Sequence, residues 1–89
     1  MGDVVNNETA RRFELTVDGH TGFLKYAQRG DRIELLHTEV PPELAGRGIG
    51  GMLAKAALDH AKQAGLKVTA TCPFVKKYVA RNAEYAHLL

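Results

Sequence analysis

One cysteine, no paired histidines and no long apolar run set the first limits on this sequence. A lone thiol, Cys72, excludes an intramolecular disulfide and fits a reducing, cytoplasmic compartment. His20, His37, His60 and His87 are scattered, with no pair spaced on one helix face and no second cysteine beside them, so no metal is expected. No apolar stretch is long enough to span a bilayer, and Met1 to Ala10 has no signal-peptide core, so no membrane partner is expected. Those first ten residues read as a polar, flexible lead-in. A net charge of +2, with no basic stripe interleaved with aromatics, gives no sign of a nucleic-acid partner.

What is present is a globular composition in 89 residues, enough for one domain, placed at residues 11–89. A chain of this size buries roughly 60–65% of its unfolded surface, so its core must be compact. Phe13, Leu15 and Val17 alternate with Glu14 and Thr16, the period of a half-buried strand. Asp18-Gly19 supplies a turn, a second strand runs from about Gly22 to Gln28, and Arg29-Gly30-Asp31 reverses the chain into a third, about Arg32 to Val40. Alternation slips at Leu35-Leu36, which predicts either burial on both faces or a bulge that re-aims His37 to Val40. Pro41-Pro42 cannot continue a ladder, since neither residue has an N–H to donate.

A long helix follows. Ile49, Met52, Leu53, Ala56, Ala57, His60, Ala61 and Ala64 recur at helical spacing, Lys55, Asp59, Lys62 and Gln63 take the other side, and Gly65 suits a left-handed C-terminal cap. Leu66 to Cys72 reads as a strand parallel to the third, reached by a crossover. Pro73 suits the first position of a second helix, with Cys72 as its N-cap and Phe74, Val75, Tyr78 and Val79 as its apolar stripe. A last helical turn docks Tyr85 and Leu88. The expected fold is thus α+β: a mixed sheet of about four strands, an antiparallel meander plus a parallel strand after the central helix, with two or three helices.

The most unusual stretch lies between the proline pair and the long helix. Gly46-Arg47-Gly48-Ile49-Gly50-Gly51 has four glycines in six residues, at a helix start where several N–H groups lack partners. Such a backbone suits an anion such as a phosphate. Its letters match the dinucleotide fingerprint G-x-G-x-x-G, but Pro41 to Ala45 intervene after the strand, and Thr71-Cys72 stand where the ribose-binding acid belongs. A nucleotide-triphosphate loop is excluded as well, because no Gly-Lys-Ser or Gly-Lys-Thr follows.

Taken together, the order of elements, the Glu39-Val40 strand end and the glycine loop resemble the GNAT superfamily of N-acetyltransferases, whose signature is Gln/Arg-x-x-Gly-x-Gly/Ala. His37-Thr38-Glu39-Val40-Pro41, Cys72-Pro73-Phe74-Val75 and Arg81-Asn82 are similar to the minimal single-domain members. The resemblance covers nearly all of Phe13 to Leu89. It departs at Ala45, where the signature has Gln or Arg. It implies acetyl-coenzyme A as donor, its pyrophosphate cradled by Gly46, Arg47, Gly48, Ile49, Gly50 and Gly51. Thr38 to Val40 would form the strand edge that receives the pantetheine arm, with Cys72 and Phe74 near it, and Arg47, Lys76, Lys77 and Arg81 would attract the phosphates. The acceptor implied is a primary amine: a protein lysine, a polyamine or a small amine.

Making an amide from a thioester requires a neutral amine, a stabilised oxyanion and a proton for the departing thiolate. Glu39 is the candidate base, with His37 on the same strand parity. Cys72, at a helix N-terminus with Lys76 and Lys77 one turn on, is a candidate nucleophile, a candidate acid, a lining residue of the pantetheine channel, or a small buried residue ending a strand. Tyr78 is the second candidate acid, or part of the core. Compared with the usual GNAT domain, the sequence shows neither an N-terminal helix pair nor a C-terminal strand pair. A noncatalytic coenzyme-A-binding or acyl-sensing module is therefore the alternative function.

Overall fold

The computed structural model describes residues 3–89. Its strands are β1 (Val5–Asn7), β2 (Arg12–Val17), β3 (His20–Arg29), β4 (Arg32–Glu39) and β5 (Lys67–Ala70), and its helices are α1 (Ile49–Ala64) and α2 (Pro73–Arg81). Short 3-10 segments at Pro42–Leu44 and Ala83–Leu88 precede α1 and follow α2. The strands form one five-stranded sheet in the order β1-β2-β3-β4-β5, antiparallel except for the β4–β5 pair.

The meander follows the sequence closely. Val17 pairs with His20 across a two-residue turn in which Asp18 and Gly19 are both left-handed, with φ of 52° and 77°, the geometry that Asp-Gly favours in a hairpin. Phe13 and Leu15 on β2, Leu24 and Tyr26 on β3, Ile33 and Leu35 on β4, and Val68 on β5 are all buried on the face that α1 covers. On the opposite face Glu14, Phe23 and Glu34 are half-buried and Lys25 is exposed.

Besides β5, which covers Lys67–Ala70 and not the whole of Leu66 to Cys72 because the chain turns into α2 after the last ladder pair, two features differ from the sequence-based expectation. The sheet has a fifth strand, Val5–Asn7, within the stretch read as a flexible lead-in and upstream of the boundary placed at residue 11. Two of its three residues are asparagines, so it carries no alternation to read. It is held by backbone pairing with β2, by the Tyr26 hydroxyl donating to Asn6 Oδ1 at 2.7 Å, and by Asn7 Nδ2 donating to Glu14 at 3.3 Å. The second difference concerns the buried face of α1. Ile49, Leu53, Ala57 and Ala61 are buried as expected, but Ala54 and Leu58 join them, while Met52, Ala56 and His60 are half-buried and Ala64 is exposed. The stripe is rotated because α1 touches the sheet and also α2 and the C-terminal 3-10 segment. Gly65 caps α1 with φ 70°, as expected.

Asp59, read as a solvent residue, is half-buried at that second contact. The Tyr85 hydroxyl donates to its Oδ1 at 2.6 Å and Lys55 Nζ donates to its Oδ2 at 2.8 Å. Burial pushes the Asp59 carboxyl up, but the bonds from Lys55 and Tyr85 outweigh it and leave the group below its ordinary value. The bond to Asp59, with burial, pushes the Tyr85 phenol up to about 12. A phenol raised in the folded state above its unfolded value of about 10 supports the fold fully below that value. This support is lost as pH rises through the folded value. Replacing Tyr85 by Phe should lower stability by about 1–2 kcal/mol. It should also flatten the loss of stability on the alkaline side, as read by thermal melts at a series of pH values.

Candidate functional site

The register of β3 on β4 slips once. Tyr26 pairs with Leu35 and Lys25 with His37, so Leu36 is an extra residue and β4 is bulged there. This is the second of the two outcomes predicted from the Leu35-Leu36 doublet. Because side chains alternate along a strand, one extra residue reverses which face the following residues occupy. Thr38, opposite Leu24, faces the buried side, while His37 and Glu39, opposite Lys25 and Phe23, face the open side.

Pairing between β4 and β5 ends at the same place. It runs from Arg32 opposite Lys67 to Leu35 opposite Ala70. The N–H groups of Thr71 and Cys72 then both donate to the Leu35 carbonyl, at 3.1 and 3.0 Å, and the chain turns into α2. The remainder of β4, from Leu36 to Glu39, extends beyond the last β5 pair. At this divergence Thr38 Oγ1 lies 3.5 Å from Cys72 Sγ. Cys72 is buried and is the N-cap of α2, with Pro73 at the first helical position, as the sequence predicts. Burial pushes the thiol up, but the Thr38 hydroxyl and the amides of Val75, Phe74 and Thr38 outweigh it and bring the thiol below its ordinary value. The helix amides act as nearby dipoles, because Cys72 closes no side-chain cap bond.

His37 and Glu39 form a separate, solvent-exposed set. Their Nε2 and Oε1 atoms are 3.9 Å apart, and the His37 ring meets Phe23 edge-on at 6.4 Å. The structure thus brings together Thr38 with Cys72, and His37 with Glu39, on opposite faces of one strand. Glu34, which sequence reasoning did not single out, accepts a 2.5 Å bond from the Thr71 hydroxyl beside the divergence. Its only signal was its place between two buried residues.

The glycine loop leaves β4 through Val40, Pro41 and the 3-10 turn, which buries Leu44. Gly46 and Gly48 are left-handed, with φ of 78° and 74°, and Gly48 caps α1 without a side-chain bond. The first N–H of α1 to bond back is that of Met52, to Gly48 O at 3.1 Å. Among the described residues, the amides of Gly48, Ile49, Gly50 and Gly51 therefore have no backbone or side-chain acceptor, the group of donors that makes a helix start attract anions. Arg47 donates to Asp18 at 3.2 Å, an exposed pair that ties the loop to the β2–β3 turn.

Gly50 and Gly51 lie in the first turn of α1, where glycine is a poorer helix former than alanine. Neither has a positive φ, so backbone conformation does not require them. A Cβ at Gly50 would lie 2.9 Å from Phe74 Cζ, closer than atoms pack, whereas one at Gly51 would lie 3.7 Å from Tyr78 Cε2, an ordinary contact. Phe74 is 42% exposed, so the expected apolar stripe of α2 splits into buried Val75 and Val79 and a Phe74–Tyr78 edge over α1. Tyr78 is half-buried, its ring 6.3 Å from that of Tyr85. Phe74, Lys77, Tyr78 and Arg81 line a pocket of about 110 Å³; Lys76 is exposed and is not part of that lining. A larger hollow of about 370 Å³ lies at the far end of β4, against Arg29, Asp31 and Glu34, away from the loop. Among the described residues, no three of His, Cys, Asp and Glu gather as a metal site, and no helix is long and apolar enough to cross a membrane.

A bulged strand, a parallel neighbour that diverges from it and a glycine-started helix thus follow one another at the C-terminal end of β4. The sequence profile of GCN5-related N-acetyltransferases matches residues 12–88. This chain belongs to that family. Protein NATD1 of Mus musculus is 42% identical over 82 residues, covering 89% of this chain and 74% of its own length. The Homo sapiens protein of the same name is also 42% identical over 82 residues, covering 73% of its own length. A GCN5-like protein from Staphylococcus aureus, solved by NMR, superposes with a TM-score of 0.73 at 28% identity, covering 97% of this chain and 85% of that one. Within this GCN5-related fold, the Thr38 hydroxyl is one of the groups that offset the burial of the single thiol. Thr38→Val, which keeps the shape and removes the hydroxyl, should move the titration of Cys72 to higher pH. Ultraviolet absorbance of the thiolate, with Cys72→Ser as blank, reads that shift directly.

Proposed function

We propose that the chain transfers an acetyl group from acetyl-coenzyme A to a primary amine: a protein lysine, a polyamine or a small amine. The observation that carries this reading is the set of four unpartnered amides behind two left-handed glycines, set next to the divergence of β4 and β5. These residues fit a pyrophosphate without any side chain, which matters because Ala45 stands where the family signature has Gln or Arg. Gly46 to Gly51 would hold the pyrophosphate, and Lys77 and Arg81 would draw in the remaining phosphate charge from the adjoining pocket. Lys76, one residue away on α2, adds to the same field. The edge from Thr38 to Val40, continuing past the last β5 pair, would hold the pantetheine arm, with Cys72 and Phe74 beside it.

Acetyl-coenzyme A supplies the acetyl group as a thioester. Glu39, exposed on the open face with His37 close by, would accept the proton that the amine gives up as its nitrogen bonds to the acetyl carbon. Cys72, at the divergence, would return a proton to the sulfur released when the thioester bond breaks, with Tyr78 as the second candidate. A noncatalytic coenzyme-A-binding or acyl-sensing role is favoured by one observation: the His37–Glu39 pair and the Thr38–Cys72 pair lie on opposite faces of β4.

Calorimetric titration with acetyl-coenzyme A, together with mass analysis of an amine panel, separates the two. Binding with mass gain on an amine supports transfer; binding without gain on any amine supports the sensing role. Gly48→Ala, which forces a side chain into φ 74°, should weaken donor binding and cost about 1–2 kcal/mol of stability. In an active chain Glu39→Gln should lower kcat by about 100-fold or more while donor affinity stays unchanged.

A further inference from the structure

Within α2, Phe74 is the large apolar side chain left exposed, at 42%. Its ring is nonetheless engaged. Cζ, Cε2 and Cε1 lie 2.9, 3.2 and 3.5 Å from the point where a side chain at position 50 would begin. The ring occupies a slot that exists only because residue 50 is glycine. The neighbouring glycine shows that this is particular to one position, since a Cβ at Gly51 meets Tyr78 only at ordinary contact distance, 3.7 Å. Phe74 is also the second residue of α2, two after Cys72, so the seat of its ring bears on where α2 begins. The start of α2 is otherwise fixed by the bond from the Cys72 N–H to the Leu35 carbonyl, the contact between Thr38 Oγ1 and Cys72 Sγ, and the bond from Lys76 N–H to the Cys72 carbonyl at 3.1 Å.

We propose that Phe74 is a positioning residue whose ring, seated in the slot left by Gly50, locks the start of α2 against the start of α1 and so fixes Cys72 relative to the free amides of the glycine loop. Gly50 thereby has a second duty besides its amide, as the socket of this contact. The inference rests on the reading that the loop and Cys72 serve one acetyl transfer, but the placement of the thiol is measurable without any donor.

Gly50→Ala keeps the amide and adds only the methyl that meets the ring. It should move the titration of Cys72 to higher pH, because the amides of Phe74 and Val75 are displaced from the sulfur. It should also lower kcat by about tenfold or more, beyond any change in KM for acetyl-coenzyme A. In Gly51→Ala the thiol should titrate as in the parent chain. Adding Phe74→Leu to Gly50→Ala shortens the side chain that clashes, and should restore the parent titration of Cys72. An unmoved titration in Gly50→Ala, or a double variant that stays shifted, overturns the proposal. So does a raised KM with unchanged kcat, which would make Gly50 a donor-binding residue alone. If Gly50→Ala does not fold, Phe74→Ala empties the slot without adding an atom, and an unmoved thiol titration there overturns the proposal equally. Should the parent chain neither bind acetyl-coenzyme A nor acetylate any amine, the acetyl-transfer reading falls while the thiol titrations still decide the role of Phe74.

Discussion

Leu36 adds one residue to a strand whose neighbours count in twos, and much of the site depends on that insertion. In an unbroken β4, Ile33 and Leu35 would be followed on the buried face by His37 and Glu39. A carboxylate opposite Gly22, facing Ile49 and Leu53 of the helix layer without a partner, would cost several kcal/mol, and Thr38 would point to water. The bulge exchanges these placements. It gives the hydroxyl to the thiol, leaves the two titratable groups in solvent, and falls where β5 stops following β4. A single local irregularity therefore sorts the chemistry of the strand into an inner and an outer set.

The glycines of the loop answer to different constraints even though they read as one run. Gly46 and Gly48 are there for left-handed backbone. Gly50 gives room to an aromatic ring from another helix, and Gly51 has neither reason. Arg47 sits among them as an anchor to Asp18. An exposed pair of this kind contributes little to stability, about 0–1 kcal/mol, but it joins the loop to the first hairpin turn, and it competes for the guanidinium with any phosphate bound nearby.

Much of this was legible beforehand, and the parts that were not share a cause. The meander, α1, the crossover, the Gly65 cap and the Cys72-Pro73 start of α2 are each written in local signals: alternation, turn residues, helical spacing, a cap. The Leu35-Leu36 doublet announced a slip, though only the pairing with β3 decided that it was a bulge. β1 left no trace, because a three-residue edge strand of one valine and two asparagines has no periodicity. The burial of Asp59 and the rotated face of α1 depend on where the C-terminal segment packs, which spacing along α1 does not record. The contact between Phe74 and Gly50 joins residues 24 apart in sequence; each looked complete in its own motif, the aromatic as core stripe and the glycine as phosphate loop.

The Leu35 carbonyl marks the fork of the sheet. Both N–H groups at the exit of β5, those of Thr71 and Cys72, converge on this one oxygen. A carbonyl has two lone-pair directions and tolerates a broad range of approach. The exit of β5 is thereby tied to β4 at a single atom, just past the four ladder pairs from Arg32–Lys67 to Leu35–Ala70. The place where the sheet opens is thus held by one oxygen of the strand that also carries the bulge.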